Sequence, residues 1–420
     1  MNTHGNTNGI DRRAALGALG VFGGLALLSS RANGAVKLFT SSTVAPKDAG
    51  RSLVLIQLSG GNDGLSTIVP YGDDAYLRAR PTLARKQSEV LPLDDRRAFH
   101  SSLVRLRAAY DAGKFAVVEG AGYPAPIRSH FKSMDVWHTA DARGRDSGDG
   151  WIGKLCDQAF AASTNPNLVV HVGANVPYAL QSRTHPAASF INPAAYRWAG
   201  GENELDAYEK AGGMGGEEKK PKKREGESSV DYLRRVMADG QSSSLEVRRA
   251  VAQYRGNVVY PPNDALGAAL HDVAALLASD VGTRVLSVEL SGFDTHTDQR
   301  NRHDALMKQL DGALAAFLED LALSAAGRNA VVVIFSEFGR RVHENGSRGT
   351  DHGVAGPMFV LGHAIKGGLH GKAPALDQLD DGDLVHTTDF RSVYASVIEG
   401  CFGVAHDKVL GAKYPLVAVV

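Results

Sequence analysis

Acidic and imidazole side chains recur in this sequence directly after short apolar runs. Asp63 follows the apolar residues 53–58 in a glycine-rich turn, and Asp294 and His296 follow residues 284–290, two positions apart. In an extended segment, residues i and i+2 point to one side, which suits joint coordination of a cation by an oxygen and an imidazole. Asp63 also fits a plain Asn-Asp-Gly turn without chemistry, because these residue types favour turns.

The same arrangement occurs twice more towards the end of the chain. Glu337 follows the apolar run 331–335, and His352 precedes the run that starts near residue 358. Carboxylates mixed with histidines suit a hard or borderline divalent cation, so we expect one or two ions of Zn, Mn, Mg or Ca. The predicted ligands are Asp63, Asp294, His296, Glu337 and His352, with Asn62, His130, Asp298 and Asp351 as further candidates.

A candidate nucleophile lies after another apolar run, residues 115–119. Ser129 precedes a helical pattern that continues through His138, so it would stand at a helix N-terminus. That position favours an anion, and the adjacent Arg128 is placed to hold a phosphate or sulfate oxygen. The simpler alternative is that Ser129 only caps the helix by accepting a backbone hydrogen bond.

These residues need a scaffold, and short apolar runs bounded by glycine or polar turns predict its strands. The runs cover residues 53–58, 115–119, 168–172, 284–290, 331–335 and 358–361. Helical spacing lies between them, most clearly over residues 304–326. This alternation predicts an α/β fold with a mostly parallel sheet and helices on both faces. Ligands of such sheets bind beyond the carboxyl ends of the strands, where the candidate residues fall.

The middle of the chain differs in composition. Residues 211–229 join a glycine run to a charge run, which predicts a flexible loop. A basic docking patch is the alternative, although interleaved glutamates cancel much of its charge. Helical patterns at 230–237 and 245–254 follow the loop. We therefore expect residues 195–260 to form a small helical insertion in a single domain that spans residues 36–420.

The N-terminus has the order of an export signal. Arg12 and Arg13 precede a short apolar stretch rich in Gly and Ala, and the small residues 32–35 suit a cleavage site. This predicts a twin-arginine signal peptide over residues 1–35, the twin-arginine translocase as a partner, and a periplasmic or secreted protein. A basic N-terminal anchor is the alternative. The stretch falls short of the roughly 20 apolar residues of a spanning helix, and we expect no integral membrane segment in the mature chain.

Overall composition excludes several classes of function. Among 420 residues, 46 lysines and arginines balance 46 aspartates and glutamates, so we expect no nucleic-acid partner. The two cysteines, Cys156 and Cys401, are far apart, which excludes a thiolate metal cluster and a dithiol redox motif. One disulfide and two independent buried thiols both fit this pattern. Nothing in the sequence indicates an oligomeric state.

Together, these motifs are similar to the bacterial domain of unknown function 1501 family. They are the leader with its arginine pair, Ser-Gly-Gly-Asn-Asp-Gly at 59–64, Arg-Ser-His-Phe at 128–131, Gly-Phe-Asp-Thr-His at 292–296, Ser-Glu-Phe-Gly-Arg at 336–340, Gly-Thr-Asp-His-Gly at 349–353 and His-Thr-Thr-Asp-Phe-Arg at 386–391. More remotely, the chain resembles the alkaline phosphatase and sulfatase superfamily. Members of that superfamily place two metals and a nucleophile at the ends of parallel strands, so the resemblance implies an alkaline phosphatase-like fold.

The superfamily resemblance implies roles for particular residues. Asp63 matches the metal aspartate after the first strand, Ser129 matches the nucleophile, and His352 matches the late metal histidine. Asp294 and His296 stand for the aspartate and histidine of one metal site. The superfamily usually separates that pair by four residues, so this match departs from the pattern.

A second departure concerns the number of ions. Glu337 takes the place of a strand-end aspartate, but Phe338 stands where a further ligand is expected. If two ions bind, one activates Ser129 and the other polarises the ester oxygen, with Arg128 or the anion-binding Arg340 stabilising the transferring group.

The resemblance therefore implies an exported metal-dependent hydrolase of small anionic phosphate or sulfate esters that works through a covalent seryl ester. The alternative is a non-catalytic descendant of the fold that binds an anion, a glycan or a protein, and the missing superfamily ligands favour it. A redox protein exported with its cofactor is a third possibility, but the sequence has no haem, iron–sulfur or dinucleotide motif.

Overall fold

The computed structural model describes residues 50–197 and 228–420. The predicted leader at 1–35 lies outside the described residues, as do most of the predicted loop 211–229 and part of the predicted insertion 195–260. In the described ranges, no helix has both the length and the apolar character needed to cross a membrane.

The centre of the fold is a nine-stranded sheet. In chain order the strands are β1 (Ser52–Ser59), β2 (Ile68–Val69), β3 (Val90–Pro92), β4 (Ala98–His100), β5 (Phe115–Gly122), β6 (Val169–Val172), β7 (Ala188–Phe190), β8 (Val285–Ser291), β9 (Ala330–Phe335), β10 (Gly356–Leu361), β11 (Gly368–His370), β12 (Leu379–Asp380), β13 (Asp383–Leu384) and β14 (Thr388–Asp389). The central sheet has the order β11-β5-β10-β9-β1-β8-β6-β7, and β14 also pairs with β5. Strand β10 is antiparallel to both neighbours, and the other pairs in this sheet are parallel.

Helices connect these strands. They are α1 (Gly64–Thr67), α2 (Asp74–Ala79), α3 (Val104–Asp111), α4 (His130–Thr139), α5 (Trp151–Ala159), α6 (Ser229–Gln253), α7 (Ala265–Ala278), α8 (Gln299–Leu321), α9 (Ala325–Arg328), α10 (Phe390–Phe402) and α11 (Asp407–Leu410). Short 3-10 turns occur at Gln87–Glu89, Gly144–Ser147, Tyr178–Leu180 and Pro193–Ala195.

Helices cover both faces of the central sheet. Successive side chains of a strand point to opposite faces, and β1 shows this directly. Val54 and Ile56 are buried in a core with residues of α3, α7 and α8. Leu53 and Leu55 are buried in a second core with residues of α4, α5 and α10. The structure confirms the predicted α/β fold with a mostly parallel sheet between two layers of helices.

The helices differ from the predicted ones in two places. The predicted helix 304–326 begins earlier, at Gln299, and ends at Leu321, where the separate helix α9 follows. The predicted helices 230–237 and 245–254 are one helix, α6. No proline interrupts the joining residues, and Ser243 Oγ donates a 2.6 Å hydrogen bond to Asn167, which secures the middle of α6.

Both cysteines are free thiols. Cys156 is fully buried in the core beside α4 and α10, and Cys401 is half-buried at its margin. Burial raises the pKa of Cys156 to about 12 and that of Cys401 to about 11, so both thiols stay protonated at neutral pH. Of the two predicted alternatives, the structure shows independent thiols.

Candidate metal site

Several elements end at the carboxyl edge of the central sheet. Strand β8 ends at Ser291, and the turn that follows it carries Asp294 and His296. His130 is the first residue of α4. His352 lies in the loop before β10, where a backbone bridge joins it to Arg340. Residues far apart in the sequence therefore reach the same edge.

Three histidines direct Nε2 towards the carboxylate of Asp294. Nε2 of His296 lies 3.1 Å and Nε2 of His352 lies 3.2 Å from Asp294 Oδ1. Nε2 of His130 lies 3.6 Å from Asp294 Oδ2. The Nε2 atoms of His296 and His352 are 2.9 Å apart. We call His130, Asp294, His296 and His352 the three-histidine cluster.

The other ring nitrogen of each histidine faces an oxygen that can only accept. Nδ1 of His130 lies 2.8 Å from Glu337 Oε1, and Nδ1 of His296 lies 3.1 Å from Asp351 Oδ1. Nδ1 of His352 lies 2.9 Å from a backbone carbonyl oxygen. A hydrogen on Nδ1 of each neutral ring would be paired with these oxygens and would leave the Nε2 lone pair for a cation. Oxygen acceptors behind metal-binding histidines are a regular feature of protein metal sites.

This donor set fits a divalent metal ion. His296 and His352 place two ring nitrogens 2.9 Å apart beside a carboxylate oxygen. With hydrogen on each Nδ1, all of these facing atoms are acceptors, so a cation between them would relieve their mutual repulsion. One ligand atom each of His130, Asp294 and His352 lies within 4.8 Å of the others, and His296 adds a third imidazole beside Asp294 and His352. Imidazoles with one carboxylate are ligands of the type that Zn and similar borderline ions take.

Nearby charges keep the carboxylate of the cluster ionised. Burial raises the pKa of Asp294, but the hydrogen bond and the charge of Arg340 outweigh this effect and hold the pKa at about 2. The hydrogen bond to Glu337 raises the pKa of His130, and burial lowers the pKa of His352. At neutral pH, Asp294 is therefore available as a charged ligand.

Arg340, the predicted anion-binding residue, is buried and committed to protein acceptors. Its Nε donates to the Gly61 carbonyl at 2.8 Å and its Nη1 to the Thr350 carbonyl at 2.8 Å. Its Nη2 donates to the Phe293 carbonyl at 3.1 Å and to Asp294 Oδ1 at 2.7 Å. The guanidinium therefore positions Asp294, and this geometry does not support a role in holding a substrate anion.

Asp63 forms an ion pair with Arg80 and does not belong to the three-histidine cluster. Arg80 donates to both carboxylate oxygens, at 2.6 and 3.0 Å, and both side chains are fully buried. The hydroxyl of Ser66 donates at 2.8 Å, and the amide of Gln299 donates as well. Burial raises the pKa of Asp63, but Arg80 outweighs it and holds the pKa well below its usual range. Since both oxygens are occupied, the geometry does not place Asp63 as a metal ligand.

Glu337 contacts Nδ1 of His130, the ring nitrogen that points away from Asp294, so it orients a ligand and is not one itself. Its Oε1 accepts from the Gly60 backbone N–H at 2.9 Å and from His130 Nδ1 at 2.8 Å. The neighbouring Phe338 lies with its ring centroid 4.9 Å from that of His130 and 4.6 Å from that of His352. The carboxylate and the aromatic ring together fix the orientation of the histidines.

Ser129 lies beside the cluster with an exposed side chain. It is the N-cap residue of α4, yet its side chain makes no capping hydrogen bond, contrary to the simpler sequence interpretation. Both sequence neighbours contact the cluster. His130 belongs to it, and the backbone oxygen of Arg128 is the acceptor for His352 Nδ1. The predicted nucleophile is therefore adjacent to the predicted metal ligands.

Arg128, the other predicted catalytic residue, has its charge paired on the protein. Its guanidinium lies 2.8 Å from Asp383 Oδ2 and 3.2 Å from Asp381 Oδ2. Because Asp383 is buried and belongs to the β12–β13 hairpin, this pair fastens the hairpin to the segment before α4. The predicted contact of Arg128 with a substrate anion would compete with both aspartates.

The other further candidates, Asp351, Asn62 and Asp298, lie in three different places. Asp351 supports His296 from behind, in the way that Glu337 supports His130. Asn62 accepts a 3.0 Å hydrogen bond from the Thr67 hydroxyl beneath the turn after β1. Asp298 is the N-cap residue of α8 and forms an exposed ion pair with Arg348. Of the further candidates, only His130 and Asp351 take part in the cluster and its immediate support.

Two cavities open at this edge of the sheet. One, of about 630 Å³, is lined by residues 125–128, by Val354 and by residues 383–386. The other, of about 880 Å³, is lined by Gly64 after β1, Glu119 in β5 and Gly356 at the start of β10. Leu384 lines both cavities, so they are neighbours. Both volumes are in the range of small-molecule sites.

The fold and the cluster define an α/β protein with a candidate metal site at the carboxyl edge of its sheet. Residues 114–396 match the family model described as "Protein of unknown function (DUF1501)". The chain belongs to this family. The matched residues include the whole three-histidine cluster, whereas Asp63 lies outside them. No curated protein matches the sequence.

Several solved structures are similar in shape at low sequence identity. Ps i-CgsB is 11% identical, with 87% of this chain and 75% of that chain covered and a TM-score of 0.35. A 2-O GAG sulfatase is 11% identical, with coverages of 76% and 65% and a TM-score of 0.30. The phosphonate monoester hydrolase from Silicibacter pomeroyi is 11% identical, with coverages of 87% and 78% and a TM-score of 0.32. At these TM-scores, the similarities say nothing about the chemistry of this chain.

Proposed function

We propose that this protein is an exported metal-dependent hydrolase of phosphate or sulfate esters. The observation that carries the proposal is the position of Ser129, an exposed serine between two residues that contact the three-histidine cluster. A divalent ion bound there would supply positive charge that polarises an ester oxygen and favours the ionised form of a nearby hydroxyl.

The residues of the chain then have separate tasks. Asp294 and the three histidines hold the ion, while Glu337 and Asp351 keep two of the rings oriented with Nε2 facing inwards. Ser129 makes no side-chain capping hydrogen bond to α4, and the backbone N–H groups of a first helical turn favour an anionic group beside that residue. The serine Oγ forms a bond to phosphorus or sulfur and the bond to the leaving oxygen breaks. The hydroxyl proton is released, the leaving alcohol takes up a proton from solvent, and water cleaves the seryl ester.

The test combines metal analysis with turnover. Purified chain should contain a divalent ion and hydrolyse a generic aryl phosphate or aryl sulfate. Ser129→Ala should lower kcat by at least about a thousandfold and leave the metal content unchanged, because the hydroxyl is lost but no ligand is removed. Ser101→Ala is the matched control, since Ser101 is also an exposed serine just before a helix. Metal-loaded protein without turnover on a broad ester panel would contradict the proposal.

One observation favours the alternative of a non-catalytic anion-, glycan- or protein-binding protein. The guanidinium groups of Arg128 and Arg340 are already paired with aspartates, so neither is free to hold a transferring group. For an anion-binding protein we expect calorimetry to detect inorganic phosphate or sulfate binding to the metal-loaded chain while every ester stays intact.

The export part of the proposal rests on the leader, which lies outside the described residues. Arg12 and Arg13 are the residues that a twin-arginine translocase would read. Replacing both by lysine keeps the charge of the leader but removes the arginine pair. We expect the variant to stay in the cytoplasm of a bacterial host while the unchanged chain reaches the periplasm, as measured by cell fractionation. Equal export of both would contradict this part of the proposal.

A further inference from the structure

The surroundings of the three-histidine cluster determine how many ions it can hold. A second ion needs a second set of lone pairs close to the first, and the two predicted carboxylate ligands outside the cluster are Asp63 and Glu337. Asp63 receives two hydrogen bonds from Arg80 and further ones from Ser66 and Gln299. A cation at Asp63 would have to displace a fully buried arginine, which leaves an unpaired buried charge.

The carboxylate oxygens of Glu337 are also engaged by neighbouring polar groups. Its Oε1 accepts from the Gly60 backbone and from His130, and its Oε2 accepts from the Ser336 hydroxyl at 3.2 Å. The side chain that follows it, Phe338, has no ligand atom and lies against the rings of His130 and His352. Asp63, Glu337 and Phe338 therefore offer no free group of ligand atoms, and Oδ1 of Asp351 already faces His296 Nδ1 and accepts from the Asn345 amide.

Positive charge is already present at Asp294 itself, because Arg340 contacts Oδ1, the same oxygen that faces His296 and His352. The Arg340 guanidinium is buried, touches Asp294 Oδ1 at 2.7 Å, and has its other N–H groups fixed by backbone carbonyls. A fixed guanidinium at this distance neutralises the carboxylate charge that a second cation would require, and it repels such a cation.

We infer that the three-histidine cluster binds a single borderline divalent ion, of the class of Zn²⁺, and that the buried Arg340 takes the electrostatic place of a second cation. This inference deepens the proposed function and depends on it only for the presence of a metal site. Ca²⁺ and Mg²⁺ are disfavoured, because they take six or more ligands that are mainly oxygens, whereas three of the four ligands here are imidazole nitrogens.

Metal stoichiometry tests the inference without measuring activity. The full chain is stripped with a chelator, offered Zn²⁺, Ca²⁺ and Mg²⁺ together in excess, desalted, and analysed by inductively coupled plasma mass spectrometry. We expect about one Zn²⁺ per chain and no retained Ca²⁺ or Mg²⁺. Two ions per chain, or Ca²⁺ in place of Zn²⁺, would overturn the inference.

Variants assign the single ion to the cluster. Asp294→Asn and His352→Ala should each weaken Zn²⁺ binding by more than about a hundredfold, because each removes a ligand. Asp63→Asn should keep one ion per chain, provided circular dichroism shows that the variant is folded. Loss of an ion in folded Asp63→Asn would overturn the inference. An X-ray absorption spectrum without imidazole scattering, recorded on the Zn²⁺ form of the unchanged chain, would also overturn the inference.

The outcomes also separate this inference from the proposed function. A chain that holds one Zn²⁺ at the cluster but hydrolyses no ester refutes the hydrolase and retains the single-ion site. A chain that hydrolyses esters with two ions bound retains the hydrolase and refutes the single-ion site.

Discussion

Asp63 and Asp294 follow neighbouring strands of one sheet, yet they have different partners and therefore different roles. Asp63 is enclosed and paired with Arg80, whereas Asp294 is half-exposed and faces three imidazoles. Both carboxylates have a depressed pKa, for the same reason that an arginine outweighs the effect of burial. A low pKa alone thus does not distinguish a structural carboxylate from a ligand, but the groups that face its two oxygens do.

We expect Asp63→Asn to lower the free energy of unfolding by about 3–5 kcal/mol, because the fully buried Arg80 loses its charge partner. Chemical unfolding followed by circular dichroism measures this loss. Asp73→Asn is the control, since Asp73 is partly exposed and its main role is to accept from the Ala75 N–H, which asparagine does equally well. A loss below about 1 kcal/mol for Asp63→Asn would show that the buried pair contributes little.

We expect Glu337→Gln to weaken Zn²⁺ binding by at least about tenfold, because the amide keeps the shape of the carboxylate but holds the Nδ1 hydrogen of His130 less strongly. Competition with a fluorescent chelator measures the affinity. Glu319→Gln serves as the control, because Glu319 is exposed on α8 and pairs with Arg105, away from the cluster residues. Equal affinities of the Glu337 variant and the unchanged chain would remove Glu337 from the metal site.

We expect His138 to make stability depend on pH. Burial, assisted by the charge of Arg145, lowers the pKa of His138 from 6.5 to about 3, so the folded chain keeps the ring neutral. Below pH 6.5 the unfolded chain takes up a proton that the folded chain does not. Stability should therefore fall as pH falls towards 3, by at most about 1.4 kcal/mol per pH unit from this group. Unfolding measured at several pH values should give a shallower slope of stability against pH for His138→Gln than for the unchanged chain. His343→Gln, at an exposed histidine, should keep the full slope.

At the scale of elements, the turn after β1 sets the spacing between the sheet and the cluster. Gly60 has a φ of 117°, and a Cβ placed there would lie 2.3 Å from the backbone nitrogen of Asp294. Gly113 also has a positive φ, 72°, but a Cβ there meets no atom within 4 Å. An alanine would have a strained backbone at either position, but only at Gly60 would its Cβ collide with Asp294.

We expect Gly60→Ala to weaken Zn²⁺ binding by about tenfold or more and to lower the free energy of unfolding by several kcal/mol, because Asp294 must move away from the new methyl group. Gly113→Ala should cost only about 1 kcal/mol and leave the Zn²⁺ affinity unchanged. Titration calorimetry and chemical unfolding of both variants measure these effects. The same Zn²⁺ affinity in both variants would show that the β1 turn does not position the ligand.

The sequence was sufficient to predict six strands of the central sheet, because buried strands are continuous apolar runs whatever surrounds them. It did not show the short strands β7, β11 and β14. It placed Asp294, His296 and His352 together. It did not show that Asp63 pairs with Arg80, since Arg80 follows a helix without any motif and no local pattern shows which cation reaches a carboxylate in the fold. His130 was only a further candidate for the same reason. Its acceptor, Glu337, is 207 residues away in the sequence.

At the scale of the whole molecule, the cluster and the two cavities share one edge of the sheet. The β12–β13 hairpin joins them, because its Asp383 pairs with Arg128 next to the cluster and its Leu384 lines both cavities. Acidic side chains outnumber arginines in the lining of the larger cavity, so a polyanionic substrate is disfavoured there. The reacting group would bind at the cluster, and the rest of the substrate would extend along the hairpin.

This arrangement predicts a dependence on substrate size that a single substitution reveals. Val385 lines the smaller cavity, of about 630 Å³, and its side chain is 47% exposed, so tryptophan there should fill the cavity without disturbing the core. We expect Val385→Trp to lower kcat/KM for a bulky aryl ester by about tenfold or more and to leave a methyl ester and the metal content unchanged. Val259→Trp is the control, because Val259 is 85% exposed and lines neither cavity. If Val385→Trp slowed both esters equally, the cavity would not be the binding site for the leaving group, and the substrate would have to extend from the cluster in another direction.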